Sequence, residues 1–310
     1  MKTVNFVSTA LKGMAMGMAE VIPGVSGGTI AFITGIYERL LASISSFGTG
    51  LIGDYKKGGF KSLWKAIDGN FLIALLAGML IGIITGVFGI TWLLDNYPPV
   101  VWGFFFALII ASSVYMMRMI EKWDALNIVM LIMGAVIAYG ITVLAPSDGT
   151  EALWFIYLSG CIAISALILP GISGSFILLL LGMYTIVIPA VKDMLKTFST
   201  DSMLIVAVFG LGCLTGVMVF SRVLTYVFKN YRNYTISILT GFMIGSLNKI
   251  WPWRSCVEEV MVNDKIKCIS EQNMLPSAFQ GEPYVVGVLF AMVLGVGIVW
   301  FLSRTDKSKA

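Results

Sequence analysis

Two short segments of the chain are near-copies of each other, and each interrupts an apolar stretch of membrane-helix character. The first, Ile22–Thr29, reads IPGVSGGT, and the second, Leu169–Phe176, reads LPGISGSF. An offset of 147 residues carries Pro23 onto Pro170 and superimposes the two segments. Because Pro removes a backbone donor and Gly permits positive φ, each Pro-Gly-x-Ser-Gly break predicts a discontinuous helix. Paired helix breaks are typical of transporters that are built from internal repeats.

The composition predicts that the chain lies in a membrane. Its 310 residues are 58% hydrophobic and 12% charged, with a mean hydropathy of +0.90. A soluble domain carries roughly twice that charged fraction, about 25%. The predicted fold class is therefore an all-α polytopic membrane protein. Apolar runs long enough to cross a bilayer lie near 71–95, 99–117, 125–145, 203–228, 234–251 and 283–303.

Two further apolar regions, 8–45 and 152–191, each contain one break near the middle. The arms on either side are about 15–18 residues long, which suits the limbs of a broken hairpin. The sequence leaves open whether these hairpins are re-entrant or fully spanning. We expect a single integral membrane domain over 1–310 with two inverted-topology repeats, about 8–145 and 152–303. Each repeat would hold one broken or re-entrant helical hairpin and three transmembrane helices.

The later helices carry weaker similarities between the two halves. Gly82–Gly86 resembles Gly212–Gly216, and Gly103-Phe104 resembles Gly241-Phe242. Small residues recur in any packed membrane helix, so these matches carry less weight than the Pro-Gly-x-Ser-Gly pair. Three spans after the first hairpin would invert the second repeat, and inverted repeats commonly underlie alternating access.

The basic loops predict the orientation of the chain. If each broken region enters and leaves on one side, the loops at 95–99 and 146–151 lie opposite both termini and contain no Lys or Arg. The positive-inside rule then places the N- and C-termini of this multi-pass protein in the cytoplasm. Lys192 and Lys196 are minor exceptions on the outer side. The segments on the cytoplasmic side, rich in Lys and Arg, are the N-terminus, 46–70, 118–124, 229–233 and the C-terminal tail.

Two cysteines, Cys256 and Cys268, lie in the long polar loop 252–282, which this topology makes extracytoplasmic. An oxidising exterior permits a disulfide between them, and the alternative is a pair of unpaired thiols. The other two, Cys161 and Cys213, fall in membrane segments and are interpreted as small packing residues.

The two breaks predict a binding site for an anion. The second arm of each hairpin begins with free backbone N–H groups and the positive end of a helix dipole. Glycines allow an anion to approach that backbone closely, and phosphate suits such a site. The alternative is that the breaks are only hinges or tight packing turns. The predicted substrate-binding residues are Pro23, Gly24, Ser26, Gly27, Gly28, Thr29, Pro170, Gly171, Ser173, Gly174 and Ser175.

Charged residues near the hairpins extend this hypothesis. Glu20 lies three residues before the first Pro-Gly, and a carboxylate inside a membrane is costly and usually functional. It is predicted to carry a proton or to pair with a cation, although its repeat counterpart is Leu167. Lys12, Arg39 and Arg222 are predicted to guide a phosphate headgroup from the cytoplasmic side, or else to snorkel at the interface.

The same segments resemble a known family of bacterial and archaeal membrane proteins, long described only as a domain of unknown function. The family is that of the polyprenyl-phosphate transporters, PopT. The resemblance implies a flippase of the bacterial cytoplasmic (inner) membrane. It would return undecaprenyl phosphate, the lipid carrier of cell-wall sugars, from the outer to the inner leaflet. The segments that carry the resemblance are Ala19–Ala31, Gly35–Glu38, Leu169–Phe176, Gly182–Tyr184, Gly241–Leu247 and Trp251-Pro252.

Two other classes of function remain as alternatives. Paired helix N-termini would equally suit a transporter or channel for a small anion such as phosphate or chloride. A membrane enzyme is disfavoured because the chain has no His and no Asp cluster suited to Mg²⁺. We therefore expect no catalytic residues, no cofactor and no metal. The expected partners are the polyprenyl-phosphate lipid and membrane lipids but no nucleic acid, and a homo-oligomer is compatible with the sequence.

Overall fold

The structure, a computed structural model, describes residues 5–22, 24–48, 50–262 and 265–305. Over these ranges the chain forms thirteen α-helices and one β-hairpin. The helices of the first half are α1 (Phe6–Glu20), α2 (Gly27–Ile33), α3 (Tyr37–Ser45), α4 (Gly50–Ala66), α5 (Gly69–Asn96), α6 (Pro98–Met117) and α7 (Ala125–Val143). Those of the second half are α8 (Leu153–Ile168), α9 (Gly174–Leu180), α10 (Tyr184–Thr197), α11 (Thr200–Asn230), α12 (Arg232–Ser246) and α13 (Val285–Thr305).

Five helices, α5, α6, α7, α11 and α13, are long and apolar enough to cross a membrane, which confirms five of the six predicted spans. The sixth prediction, 234–251, corresponds to α12, which has 15 residues and continues as a 3₁₀ turn at Leu247–Ile250. At 1.5 Å per residue α12 covers about 22 Å, less than the roughly 30 Å hydrocarbon core. Protein surrounds it, and Ile236, Leu239 and Met243 are buried. The chain is a mostly helical, multi-pass membrane protein.

The two broken regions fold in the same way. A helix of 15 or 16 residues, α1 or α8, is followed by a loop and a seven-residue return helix, α2 or α9. Gly24 and Gly171 have φ values of 88° and 86° in the two loops, a conformation that favours glycine. Each return helix covers about 10 Å. This length fits a re-entrant limb better than a full crossing, and α9 and α10 then meet at an angle of 111°.

Each first limb packs closely against a long spanning helix, α1 against α5 and α8 against α11. A Cβ at Gly82 of α5 would lie 2.1 Å from the carbonyl oxygen of Met14, so the helix backbones touch. In the second half a Cβ at Gly216 of α11 would lie 2.6 Å from the carbonyl oxygen of Cys161. Contacts this close require glycine, as is common between membrane helices.

These contacts correct the alignment of the later helices. Met14 and Cys161 are related by the 147-residue offset of the loops, whereas Gly82 and Gly216 are 134 residues apart. The predicted match of Gly82–Gly86 with Gly212–Gly216 is therefore displaced by four residues, about one helical turn.

The remaining helices pack across the two halves of the chain. Helix α6 packs against α13, and α7 packs against α12. A Cβ at Gly295 of α13 would lie 2.7 Å from the carbonyl oxygen of Phe104, and one at Gly134 of α7 would lie 2.3 Å from that of Ile238. Phe104 therefore corresponds to Ile238, and the predicted match of Gly103-Phe104 with Gly241-Phe242 is also one turn out of register. Apart from α4, which has no counterpart among the described helices of the second half, the order of helices and these close contacts occur twice.

The 252–282 loop contains an antiparallel β-hairpin, β1 (Arg254–Val262) and β2 (Lys265–Asn273), which the sequence analysis did not predict. Cys256 of β1 is disulfide-bonded. The side chain of Cys268 lies outside the described residues, so the pairing of these two cysteines stays a prediction. Cys161 and Cys213 carry free thiols.

The close helix contacts generate a stability prediction. Gly82→Ala should lower the free energy of unfolding by about 1–3 kcal/mol, because the new Cβ forces α1 and α5 apart. Gly89→Ala, on the same helix, is the matched control, since a Cβ there meets nothing within 4 Å. Thermal unfolding of the detergent-solubilised protein measures both variants. Equal transition temperatures for the two would contradict the packing described for α1 and α5.

Candidate functional site

The two loops of the broken hairpins meet inside the protein. The Ser26 hydroxyl donates to the carbonyl oxygens of Leu167 and Leu169, at 3.3 and 3.0 Å. In the other direction the backbone N–H of Gly171 donates to Thr29 Oγ1 at 3.1 Å. The structure therefore brings together Ser26, Thr29 and Gly171, three of the predicted site residues. Side chains of the first loop satisfy carbonyl groups that the end of α8 leaves without helical partners.

A carboxylate occupies the N-terminus of α2. Glu20 Oε1 accepts a hydrogen bond from the Gly27 N–H at 2.7 Å, and Ser26 Oγ accepts one from the Gly28 N–H at 3.1 Å. The side chain of Glu20 thus lies where an anionic ligand was expected, and it interacts favourably with the helix dipole. Two of the backbone donors predicted for phosphate are already satisfied in this conformation.

The second loop has a different chemistry at the same place. Leu167, the counterpart of Glu20, packs beside Gly174, where an added Cβ would lie 3.0 Å from the Leu167 Cβ. Ser173 precedes α9 without capping it, and its hydroxyl lies 2.9 Å from that of Ser175. The two loops are similar in backbone shape but differ in charge, as the sequence indicated.

Most of the predicted loop residues are buried. Ser26 and Thr29 are fully buried, and Ser173 is 3% exposed. A cavity of about 10 Å³ lies beside Gly24 and Gly171, which is too small for a phosphate. The loops therefore form a closed seal in this conformation. Of the other predicted positions, Gly27, Gly28, Pro170 and Gly174 are buried, Ser175 is exposed, and Pro23 lies outside the described residues.

A basic pocket of about 820 Å³, here called the Lys12 pocket, lies at the start of α1 and α12. Lys12 Nζ donates to the carbonyl oxygen of Thr34 at 2.6 Å, and Arg39 Nε lies 2.6 Å from Asp68 Oδ2. Lys65 and Arg232 also line it. Sequence reasoning assigned these two only to cytoplasmic loops, since nothing local marks them as neighbours of Lys12.

Arg222 is not brought to this pocket. Its guanidinium donates to the carbonyl oxygen of Phe47, just after α3, where it anchors the chain between α3 and α4. Of the three cations predicted to guide a headgroup, Lys12 and Arg39 therefore lie together and Arg222 lies apart.

An apolar groove of about 1100 Å³ adjoins the Lys12 pocket, and the two share Asn5, Ser8 and Lys12. Its walls come from α1, α2, α5, α6 and α13, and their side chains are almost all hydrocarbon. The groove follows α13 from Gly287 to Leu302. At 1.5 Å per residue this is about 22 Å. A cation at one end and a long apolar channel behind it match a ligand with a charged head and a hydrocarbon tail.

A second charged pocket, here called the Lys249 pocket, lies beyond the other end of α12 and has a volume of about 400 Å³. Lys249 Nζ and Arg254 Nη1 both contact Glu271 Oε2, at 3.0 and 2.6 Å. Burial lowers the pKa of the Arg254 guanidinium, and the charge of Glu271 opposes that shift. Sequence reasoning missed these residues because the β-hairpin brings them together from separate segments.

The chain is similar to a described family of membrane transporters. Residues 16–268 match a family model described as undecaprenyl phosphate translocase-like. The chain is 46% identical over 280 residues to a polyprenyl-phosphate transporter of Vibrio cholerae serotype O1, covering 90% of this chain and 89% of the relative. It is 32% identical over 256 residues to a polyprenyl-phosphate transporter of Staphylococcus aureus, covering 78% and 85% of the two chains. No solved structure is significantly similar to the chain.

The contact between Glu20 and Gly27 generates a second stability prediction. Glu20→Ala should destabilise the protein by about 1–3 kcal/mol, because it leaves the buried Gly27 N–H without an acceptor. Glu20→Gln is the matched control, since its amide oxygen can still accept that hydrogen bond. Thermal unfolding in detergent measures both. If the Gln variant lost as much stability as the Ala variant, the charge of Glu20 rather than its hydrogen bond would hold α2 in place.

Proposed function

The chain belongs to the undecaprenyl phosphate translocase-like family, and we propose that it moves a polyprenyl phosphate, undecaprenyl phosphate, across the cytoplasmic membrane. The observation that carries this proposal is the continuity of the Lys12 pocket with the apolar groove. The phosphate would bind among Lys12, Arg39 and Arg232, and the isoprenoid tail would lie along α13. A free phosphate or chloride ion has no hydrocarbon tail to fill such a groove, so the lipid is favoured over a small anion.

The repeated helix contacts support an inverted-repeat mechanism. Each half would place its broken hairpin at the centre from the opposite side of the membrane, and rocking of the halves would expose the site alternately. With both termini in the cytoplasm, the Lys12 pocket faces inward. Net movement from the outer to the inner leaflet would return the lipid carrier for reuse.

The paired loops would act at the middle of this path. In the closed conformation Ser26 and Thr29 are occupied by contacts with the second loop. Separation of the halves would release these two hydroxyls and the backbone N–H of Gly171. The free groups would then hold the phosphate during its passage, as expected for helix breaks near the midplane of a transporter.

Transport by vesicles tests the function. We expect proteoliposomes with the intact protein to reduce the accessibility of undecaprenyl phosphate in the outer leaflet faster than empty vesicles do. Lys12→Gln should slow this loss about tenfold or more, because a charge-assisted contact to the phosphate disappears. Lys122→Gln removes an equal charge outside both pockets and should transport normally. Normal transport by the Lys12 variant would show that Lys12 does not hold the phosphate during transport.

A substitution in the groove tests whether the substrate is a lipid or a small anion. Ala15 lines the groove, so Ala15→Trp should hinder the lipid, whereas Val219→Trp on the exposed face of α11 should not. If the Ala15 variant carried the lipid normally while the intact protein carried inorganic phosphate, the small-anion alternative would replace the lipid.

Glu20 is proposed to couple transport to protons. If the phosphate took over the N–H of Gly27, the buried carboxylate of Glu20 would have no ion-pair partner among the described residues, and taking up a proton would remove that cost. Transport by the intact protein should then vary with pH, and Glu20→Gln should flatten this dependence while preserving the fold. The rate is measured in vesicles across a series of pH values. An unchanged pH profile in the Gln variant would rule out this role for Glu20.

A further inference from the structure

The Lys249 pocket holds more positive than negative charge. Lys249 and Arg254 share a single carboxylate oxygen, Glu271 Oε2, at 3.0 and 2.6 Å. The other side chains that line the pocket are neutral, with amides from Asn248 and Asn273 among them. Two cations and one carboxylate leave an excess charge of one in a partly enclosed space. This arrangement favours binding of an additional or a stronger anion.

The Arg254 side chain is fixed and incompletely satisfied. It is 6% exposed, its guanidinium lies 4.0 Å above the Trp102 ring, and Nη1 also donates to the carbonyl oxygen of Lys249. Its Nε is buried and has no hydrogen-bond partner within the described part of the chain. Buried donors in proteins are almost always paired, so an orphan at a pocket indicates a missing acceptor. The planar guanidinium fork suits a phosphate, which can accept two parallel hydrogen bonds.

Lys249 connects this pocket with the sealed loops. Its Nζ lies 4.8 Å from the centre of the Phe176 ring, at the end of the second loop motif. A Cβ at Gly24 of the first loop would lie 3.4 Å from Lys249 Cγ. The same side chain thus touches both loops and a charged pocket. α12 separates this pocket from the Lys12 pocket, since Arg232 begins the helix and Lys249 follows its end.

We propose that Lys249 and Arg254 form a second phosphate-headgroup site, in which the lipid phosphate displaces the carboxylate of Glu271. The identity of the ligand rests on the proposed function, whereas the anion site rests on the contacts above. A phosphate monoester carries a charge of about −1.5 to −2 at neutral pH, more than one carboxylate, so it competes well for two cations. The lipid would then meet a basic pocket at each end of α12, with the seal of the loops between them.

Farnesyl phosphate, a short polyprenyl phosphate, probes this site on the whole protein in detergent, with farnesol as the uncharged control. Calorimetric titration measures the binding, and a Lys12→Gln background reduces binding at the Lys12 pocket. Lys249→Gln should weaken the binding of farnesyl phosphate about tenfold or more, because one charge-assisted contact is lost. Glu271→Gln should strengthen it, because the competing carboxylate becomes neutral. Lys122→Gln serves as the matched control and should change nothing.

Opposite changes in affinity for the Lys249 and Glu271 variants establish the site, and Arg254→Lys should weaken binding because the guanidinium fork is lost. Thermal unfolding shows which variants are folded, and the Glu271 result does not depend on removal of a buried cation. Unchanged affinity in both folded variants, or no binding in the Lys12→Gln background, overturns the proposal even if vesicles transport the lipid. Opposite changes without any transport in vesicles would keep the anion site and overturn the proposed function instead.

Discussion

Backbone groups inside a membrane must find partners within the protein, and this requirement determines how the two broken helices are arranged. Each break leaves carbonyl groups at the end of one helix and N–H groups at the start of the next. The crossing of the loops satisfies the carbonyl groups, whereas the first N–H groups of α2 are satisfied by Glu20 and Ser26 from the same half. Ser26 satisfies carbonyls at the end of α8, and Thr29 accepts from the N–H of Gly171. Because side chains of the first loop satisfy backbone groups of the second, the closed seal depends on both halves of the chain.

A symmetric scaffold here supports an asymmetric site. The two halves repeat their helix contacts, from the glycine contacts of α5 and α11 to the positive φ of Gly24 and Gly171. Yet Glu20 caps α2, whereas its counterpart Leu167 packs as a hydrocarbon side chain beside Gly174. The repeat is retained where backbones touch, because a Cβ would not fit there. It is lost at Glu20 and Leu167, where one loop carries a carboxyl group and the other a hydrocarbon side chain.

Local patterns in the sequence predicted the parts of this structure that depend on local chemistry. Apolar length predicted the spans, and Pro-Gly-x-Ser-Gly predicted the breaks, since both effects act within a few residues. The alignment of the later helices of one half with those of the other was predicted one helical turn out of register. Gly78, Gly82 and Gly86 repeat every four residues, so they align equally well with the second half in several registers. The pairing of Lys249 with Arg254 through Glu271 was not predictable, since it depends on where a β-hairpin folds back.

In the closed conformation the cations proposed to bind phosphate in both pockets are paired with oxygen atoms of the protein. Each cation that would meet the phosphate contacts a protein oxygen. Lys12 contacts a carbonyl, Arg39 the carboxylate of Asp68, Arg232 that of Glu38, and Lys249 and Arg254 that of Glu271. The N–H of Gly27 is paired with Glu20 in the same way. A phosphate that entered these proposed sites would have to replace these partners, so its net affinity at each site would be a difference between two similar interactions. Small differences of this kind allow a dianion to be bound and then released, which a transporter requires and a tight binding protein does not.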